Sequence, residues 1–274
     1  MPGAYGFELV GAPGPPSQLV KVGKDWPAME IARVTAEAPD GPSWIDANRA
    51  EIRLLAGDRL LLEREPLRAT FITASPLSDE ALVHPYLAPA AAVAAYWLGR
   101  QAFHAGAFVL DDGVWAVMGE KELGKSSLLA WLALQGHAVL ADDTVVLDGD
   151  LAFAGPRSID LRQEPARELR AGEPMGTVGD RERWRLTLGE VAGAGRLRGW
   201  IFLAWSDEVE VVSLAAGSRL EQILQSRMVR GLAPADPTAM LELAALPAFR
   251  FGRPRQWPQL ADAAGRLVDE LSNR

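Results

Sequence analysis

The chain has 274 residues, 49% of them hydrophobic and 23% charged, with a net charge of -8 and no cysteine. That composition excludes an overall disordered, collagenous or coiled-coil chain. It also excludes disulfides, Cys-ligated zinc, iron–sulfur clusters and thiol catalysis, and the acidic balance argues against a generic nucleic-acid or membrane-surface binder. Three His, at 84, 104 and 137, are too few for a multi-His metal site. Four Lys stand against 24 Arg, so each Lys is more informative, and Lys125 sits where chemistry can ask for an ammonium. The N-terminus lacks a basic start and an apolar core, so no signal peptide is expected. The absence of cysteine fits a reducing cytoplasm.

In chain order, residues 1–85 read as a β-rich region. Gly11-Ala-Pro-Gly-Pro-Pro16 reads as loop. Residues 51–55 and 70–73 carry strand-like apolar runs, and Gly57-Asp58 between two apolar runs reads as a turn. Pro85 opens a helix over Tyr86–Gln101 that is apolar nearly all round and therefore buried. The longest apolar run, Tyr86–Gly99, is about 14 residues and falls short of the roughly 20 that a membrane span needs.

Residues 86–274 form the second region. Ala107–Leu110 and Val114–Met118 read as strands joined by a hairpin at Asp111-Asp112-Gly113, residues that tolerate positive φ. A helix follows over Ser126–Gln135, closed by Gly136. Ala138–Ala141 is the next strand, with Asp142-Asp143 at its end, and Thr144–Leu147 continues extended. Residues 200–204 and 209–212 read as strands. Ser218 and Glu221 match a capping box that starts a helix through Leu224. Asp236-Pro237 matches an N-cap followed by a first-turn proline. Leu260, Ala264, Leu267 and Leu271 share one helical face.

The chemistry concentrates at Gly119-Glu120-Lys121-Glu122-Leu123-Gly124-Lys125-Ser126, which fits G-x-x-x-x-G-K-[ST] between a strand and a helix. Such a loop turns backbone N–H groups inward around a phosphate. The helix that follows aims its N-terminus at the anion. Lys125 then reaches the β- and γ-phosphates, Ser126 offers its hydroxyl to Mg²⁺, and Ser127 completes the segment. Glu120 and Glu122 would repel a triphosphate unless they face outward. Asp142-Asp143 alone is an ordinary solvated turn. At a strand end beside a phosphate loop, the pair becomes a candidate for holding Mg²⁺ and for accepting a proton from an attacking hydroxyl.

The series His104-Ala-Gly-Ala-Phe-Val, hairpin, phosphate loop, and Gly136-His137-Ala-Val-Leu-Ala-Asp142-Asp143 resembles the HPr kinase/phosphorylase family, over roughly residues 88–230. That resemblance implies an α/β fold with a P-loop kinase core of the HPr kinase and phosphoenolpyruvate carboxykinase type. Asp142 would be the base on a serine hydroxyl, with His104 beside it. Ser126 and Asp143 would bind Mg²⁺. Residues 153–162 are similar to a proline-and-arginine segment of the family, which makes Arg157 and Arg162 candidate phosphate or substrate contacts. Arg183 falls where relatives carry a basic loop residue that neutralises the transferring phosphoryl group.

Some features depart from the family. The loop carries Glu-Lys-Glu-Leu in place of small residues, and the N-terminal region does not look like the family's sensor domain. The chain is more similar to stand-alone HPr-kinase-like proteins, including those found with lasso peptide biosynthesis. The activity this implies is a Ser kinase that uses ATP and Mg²⁺ on a peptide or small protein; whether a reverse phosphorylase activity exists is left open. The alternatives are a non-catalytic nucleotide-dependent peptide-binding module and a small-molecule kinase. No nucleic-acid or membrane partner is expected. The family also forms oligomers, and no residue here demands one.

Overall fold

The computed structural model describes residues 1–12, 18–179, 181–234 and 236–273. The expected loop at 11–16 therefore lies largely outside the described residues. Alternation of apolar and polar side chains builds the first sheet, since successive side chains of a strand face opposite sides. In β7 (Arg59–Glu63) Leu60 and Leu62 are buried, and in β8 (Arg68–Thr73) Ala69 and Phe71 are. They join β1 (Pro2–Ala4), β2 (Phe7–Val10), β3 (Val20–Lys21), β4 (Ala28–Thr35), β5 (Trp44–Ile45) and β6 (Arg49–Arg53) in an eight-stranded sheet, ordered β3-β1-β2-β4-β8-β7-β6-β5.

From β8 the chain passes through a short α1 (Asp79–Ala81) and a wide turn at Leu82–Tyr86 into α2 (Leu87–Trp97). Small alanines on almost every side let α2 sink into the apolar core of the first sheet. The helix ends at Trp97, short of the expected Gln101. Gly99 takes φ +80°, a left-handed geometry that ends helices, and Gln101 opens a strand instead.

The second sheet is nine-stranded and mixed. It contains β9 (Gln101–Phe103), β10 (Ala105–Leu110), β11 (Gly113–Met118), β12 (Val139–Ala141), β13 (Val145–Asp148), β14 (Leu151–Phe153), β18 (Ala194–Trp205), β19 (Glu210–Ser213) and β20 (Ala248–Arg253). Its main path runs β12-β10-β11-β18-β14-β13-β9, with β20 also on β18 and β19 on β20. Asp111 and Asp112 both adopt positive φ, 48° and 62°, so β10 folds tightly back into β11. Three further strands, β15 (Ser158–Leu161), β16 (Glu173–Val178) and β17 (Arg181–Thr187), form a small antiparallel sheet ordered β15-β17-β16.

Helices cover the two faces of the larger sheet. Along β11, Val114, Ala116 and Met118 face a core shared with α5 (Ala216–Gln225) and α6 (Pro237–Ala245). Trp115 and Val117 face the opposite core, shared with α3 (Lys125–Leu134) and α7 (Leu260–Ser272). The short α4 (Gln163–Leu169) follows β15. Leu260, Ala264, Leu267 and Leu271 are all buried, as their shared face implies. Asp236 caps α6 through its carboxylate, which accepts hydrogen bonds from the Thr238 and Ala239 backbone N–H groups at 2.8 and 3.1 Å. Ser218 does not start α5. The helix begins at Ala216, without a side-chain cap, and the Ser–Glu spacing falls inside it. Among the described residues, no helix is long and apolar enough to cross a membrane.

Candidate functional site

Strand direction gathers the chemistry at one edge. Strands β11, β18 and β20 run parallel. Both β11 and β12 are antiparallel to β10, so β12 runs the same way as β11. The carboxyl ends of all four therefore open on the same side, where α/β sheets bind ligands. There β11 delivers the loop after Met118, β12 delivers Asp142-Asp143, β18 ends at Trp205 and β20 ends at Arg253. Because β10 runs in the opposite sense, His104 at its start sits at this edge too, with Ala105 paired to Met118.

The loop folds as its glycines allow. Gly124 caps α3 with φ +80°, and a Cβ there would collide with the Arg253 guanidinium. Glu122 also has positive φ, 75°. Glu120, Lys121 and Glu122 are exposed. Glu122 is answered by Arg162, whose guanidinium donates to its carboxylate at 3.1 Å. Lys125, at the first turn of α3, is 7% exposed, and its Nζ has no hydrogen-bond partner among the described residues. Burial pulls its pKa down, and only the nearby carboxylates of Asp143 and Asp142 oppose that. An orphaned buried ammonium over a glycine-capped helix start fits a phosphate group.

The acidic pair divides in two. Asp142 is buried, and its carboxylate accepts a hydrogen bond from Ser126 Oγ at 3.2 Å. Burial, with help from Asp143, pushes its pKa up to about 7. Asp143 takes φ +66°, which turns it away from the strand and into the cleft. Its Oδ1 lies 3.3 Å from His104 Nδ1. Burial would raise the Asp143 pKa, but His84, His104, Lys125 and Arg181 together hold it below the usual carboxylate range. Burial and then Lys125 lower the pKa of His104, which favours the neutral imidazole. His104 was expected beside Asp142; it pairs instead with Asp143, because the left-handed turn reverses which carboxylate faces the opening.

Among the described residues, no group of three His, Asp or Glu could hold a metal unaided. Ser126 and Asp142 nevertheless supply two adjacent oxygens, a set that suits Mg²⁺ completing its shell with water and phosphate.

The cleft has a volume of about 960 Å³ and is lined by all the loop residues except Gly119 and Leu123, together with His104, Asp143, Arg162 and Arg183. Arg157 is not among its lining residues. Its backbone N–H donates to Gln18 O at 2.8 Å. Arg183 was expected in a basic loop but lies within β17, 3% exposed, with a guanidinium nitrogen 3.6 Å from Asp160. Alternation along β17 turns Arg181, Arg183 and Arg185 to one side. Asp160, on the paired strand β15, accepts two hydrogen bonds from Arg185, at 2.7 and 2.9 Å.

Other lining residues escape a motif search. Arg53, Leu54 and His84 come from the N-terminal region and line the cleft with Tyr86, the first residue of the second region. Trp205, Arg253, Arg255 and Trp257 come from the ends of β18 and β20 and the turn before α7. The one sequence signal for these is aromatic and basic residues clustered at 253–257.

No family model matches this sequence, and no curated protein matches it either. A search of solved structures returns the Hpr(Ser) kinase/phosphatase from Coxiella burnetii, at 14% identity and a TM-score of 0.32, covering 63% of this chain and 93% of that one. The fold stands as mixed α/β with several sheets.

Proposed function

We propose that this protein is a phosphotransferase that moves the γ-phosphoryl group of ATP, with Mg²⁺, to a serine hydroxyl of a peptide or small protein. The observation that carries this reading is the orphaned, buried Lys125 ammonium at the head of G-x-x-x-x-G-K-S. It opens into the same cleft as the Asp143–His104 pair.

Bound Mg²⁺-nucleotide would supply an electrophilic γ-phosphoryl group. The loop backbone and Lys125 would hold the phosphates, Ser126 with Asp142 would hold the metal side, and the β-phosphate would leave as ADP when the hydroxyl oxygen bonds to phosphorus. Asp143, facing the cleft, accepts the proton of the incoming hydroxyl at its carboxylate. His104 orients that carboxylate through the 3.3 Å contact. This exchanges the roles that the family resemblance implied for Asp142 and Asp143. The warrant is geometric, since a base must reach the acceptor before its pKa matters. Arg183, beside Asp160, and Arg162, paired with Glu122, line the cleft and would supply positive charge toward the site of transfer, where positioning and electrostatics do most of the work.

The test is transfer from γ-labelled ATP to serine-bearing peptides, beginning with those encoded beside the gene. Label on serine with wild type, lost with Asp143→Asn and with a Ser→Ala peptide, is the expected result. Nucleotide binding with no transfer to any acceptor would instead favour a nucleotide-dependent binding module.

A further inference from the structure

The buried arginines of this protein are not treated alike. Arg59 and Arg185 are each almost fully buried, and each faces a carboxylate, Glu51 at 3.7 Å and Asp160 at 2.7 Å. Arg253 is 5% exposed and forms no ion pair among the described residues; buried Arg227 forms none either, but its guanidinium donates to the Leu232 and Ala233 carbonyls at 2.9 and 3.1 Å. The contacts of Arg253 are a long hydrogen bond to Pro254 O at 3.4 Å and the face of Trp205, 4.5 Å from the ring centroid. Its Nε has no hydrogen-bond partner among the described residues. A desolvated, uncompensated cation is costly, and the burial drags the guanidinium pKa down to about 10.

The position of this cation gives it a use. Arg253 is the last residue of β20, held level with Trp205 by the parallel pairing of β20 with β18. Its guanidinium packs against Gly124, one residue before Lys125, at a spot only a glycine leaves open. Both cations line the same cleft.

We infer that Arg253 is a second phosphate-binding cation of the loop, delivered from a strand two places along the sheet from β11 to grip the phosphate chain of the nucleotide alongside Lys125. The inference rests on the nucleotide reading above. Trp205 holds the guanidinium flat without neutralising it, so the compensating charge comes with the ligand.

The experiment is calorimetric titration of wild type, Arg253→Gln and Arg253→Lys with MgATP and, separately, with Mg-tripolyphosphate. Melting temperatures of the ligand-free proteins accompany it. Arg253→Gln should weaken both ligands by about tenfold or more. Arg253→Lys should fall between Gln and wild type. The ligand-free Gln variant should melt no lower than wild type, because it loses an unpaired buried charge. A merely structural arginine would lower the melting temperature instead, and that result would overturn the assignment. So would unchanged affinities, or a loss confined to ATP, which would place Arg253 on the nucleoside. If wild type bound neither probe, the nucleotide reading itself would fall and this assignment with it.

Discussion

His104 Nδ1 lies 3.3 Å from Asp143 Oδ1, while the neighbouring carboxylate of Asp142 accepts a hydrogen bond from Ser126 at 3.2 Å. Two adjacent aspartates thus face two different tasks. The positive φ of Asp143 separates them, because an ordinary extended residue there would continue the strand. The separation can be tested by neutralising each carboxylate alone.

Asp143→Asn should leave MgATP affinity near wild type and reduce turnover by roughly 10²- to 10⁴-fold, the range for a lost general base. Asp142→Asn should raise the Mg²⁺ concentration needed for half-maximal activity, by roughly tenfold or more. Steady-state kinetics at varied Mg²⁺ distinguish the two. A reversal of the two phenotypes would return the base to Asp142.

The raised pKa of Asp142 also fixes a sign for pH dependence. Burial pushes it to about 7 in the folded protein, from an unfolded value near 3.8. Between those values the folded state binds the extra proton, so this group's contribution to stability declines as pH rises toward 7 and then levels off. Asp142→Asn removes that decline. The melting temperature of the variant should gain on wild type between pH 5 and pH 8, measured without Mg²⁺. Mg²⁺ affinity of wild type should fall as pH drops below about 7, because the metal requires the ionised carboxylate.

Asp160 is the buried anion that holds Arg185 by two hydrogen bonds, with Arg183 and His84 at 3.6 and 3.9 Å. Burial would raise its pKa, but the Arg185 bonds, His84 and Arg183 keep it low. Asp160→Ala leaves buried guanidinium charge uncompensated and should cost about 3–5 kcal/mol in urea unfolding. A loss below 1 kcal/mol would show that these arginines find other acceptors.

What local pattern encodes was readable in advance. The strand–loop–helix around Gly119–Ser126, the Asp-Asp strand end, the Asp111-Asp112 turn and the apolar face of α7 all depend on residues close together in sequence. The Ser218–Glu221 capping pattern misled because the same spacing also occurs inside a helix, where Ile223 is the buried position. Arg183 was expected in a basic loop because four of the five residues 181–185 are charged, which hides a strand. The partner that buries these arginines, Asp160, comes from another strand. Arg253 carried only the cluster of basic and aromatic residues at 253–257, since the parallel pairing of β20 with β18 brings it to Gly124. The wall supplied by Arg53 and His84 likewise depends on how the two sheets meet.

The central claim is that the loop at Gly119–Ser126 binds nucleotide phosphate through Lys125. The most direct measurement is calorimetric titration of MgATP into wild type and Lys125→Ala, with the melting temperature of each recorded first. Among the described residues Lys125 Nζ has no hydrogen bond to lose, but its charge offsets Asp142 and Asp143, so the ligand-free variant should fold and melt within a few degrees of wild type. Its MgATP affinity should drop by about 10- to 100-fold. Equal affinity in the two proteins, or no binding by wild type, would contradict the account.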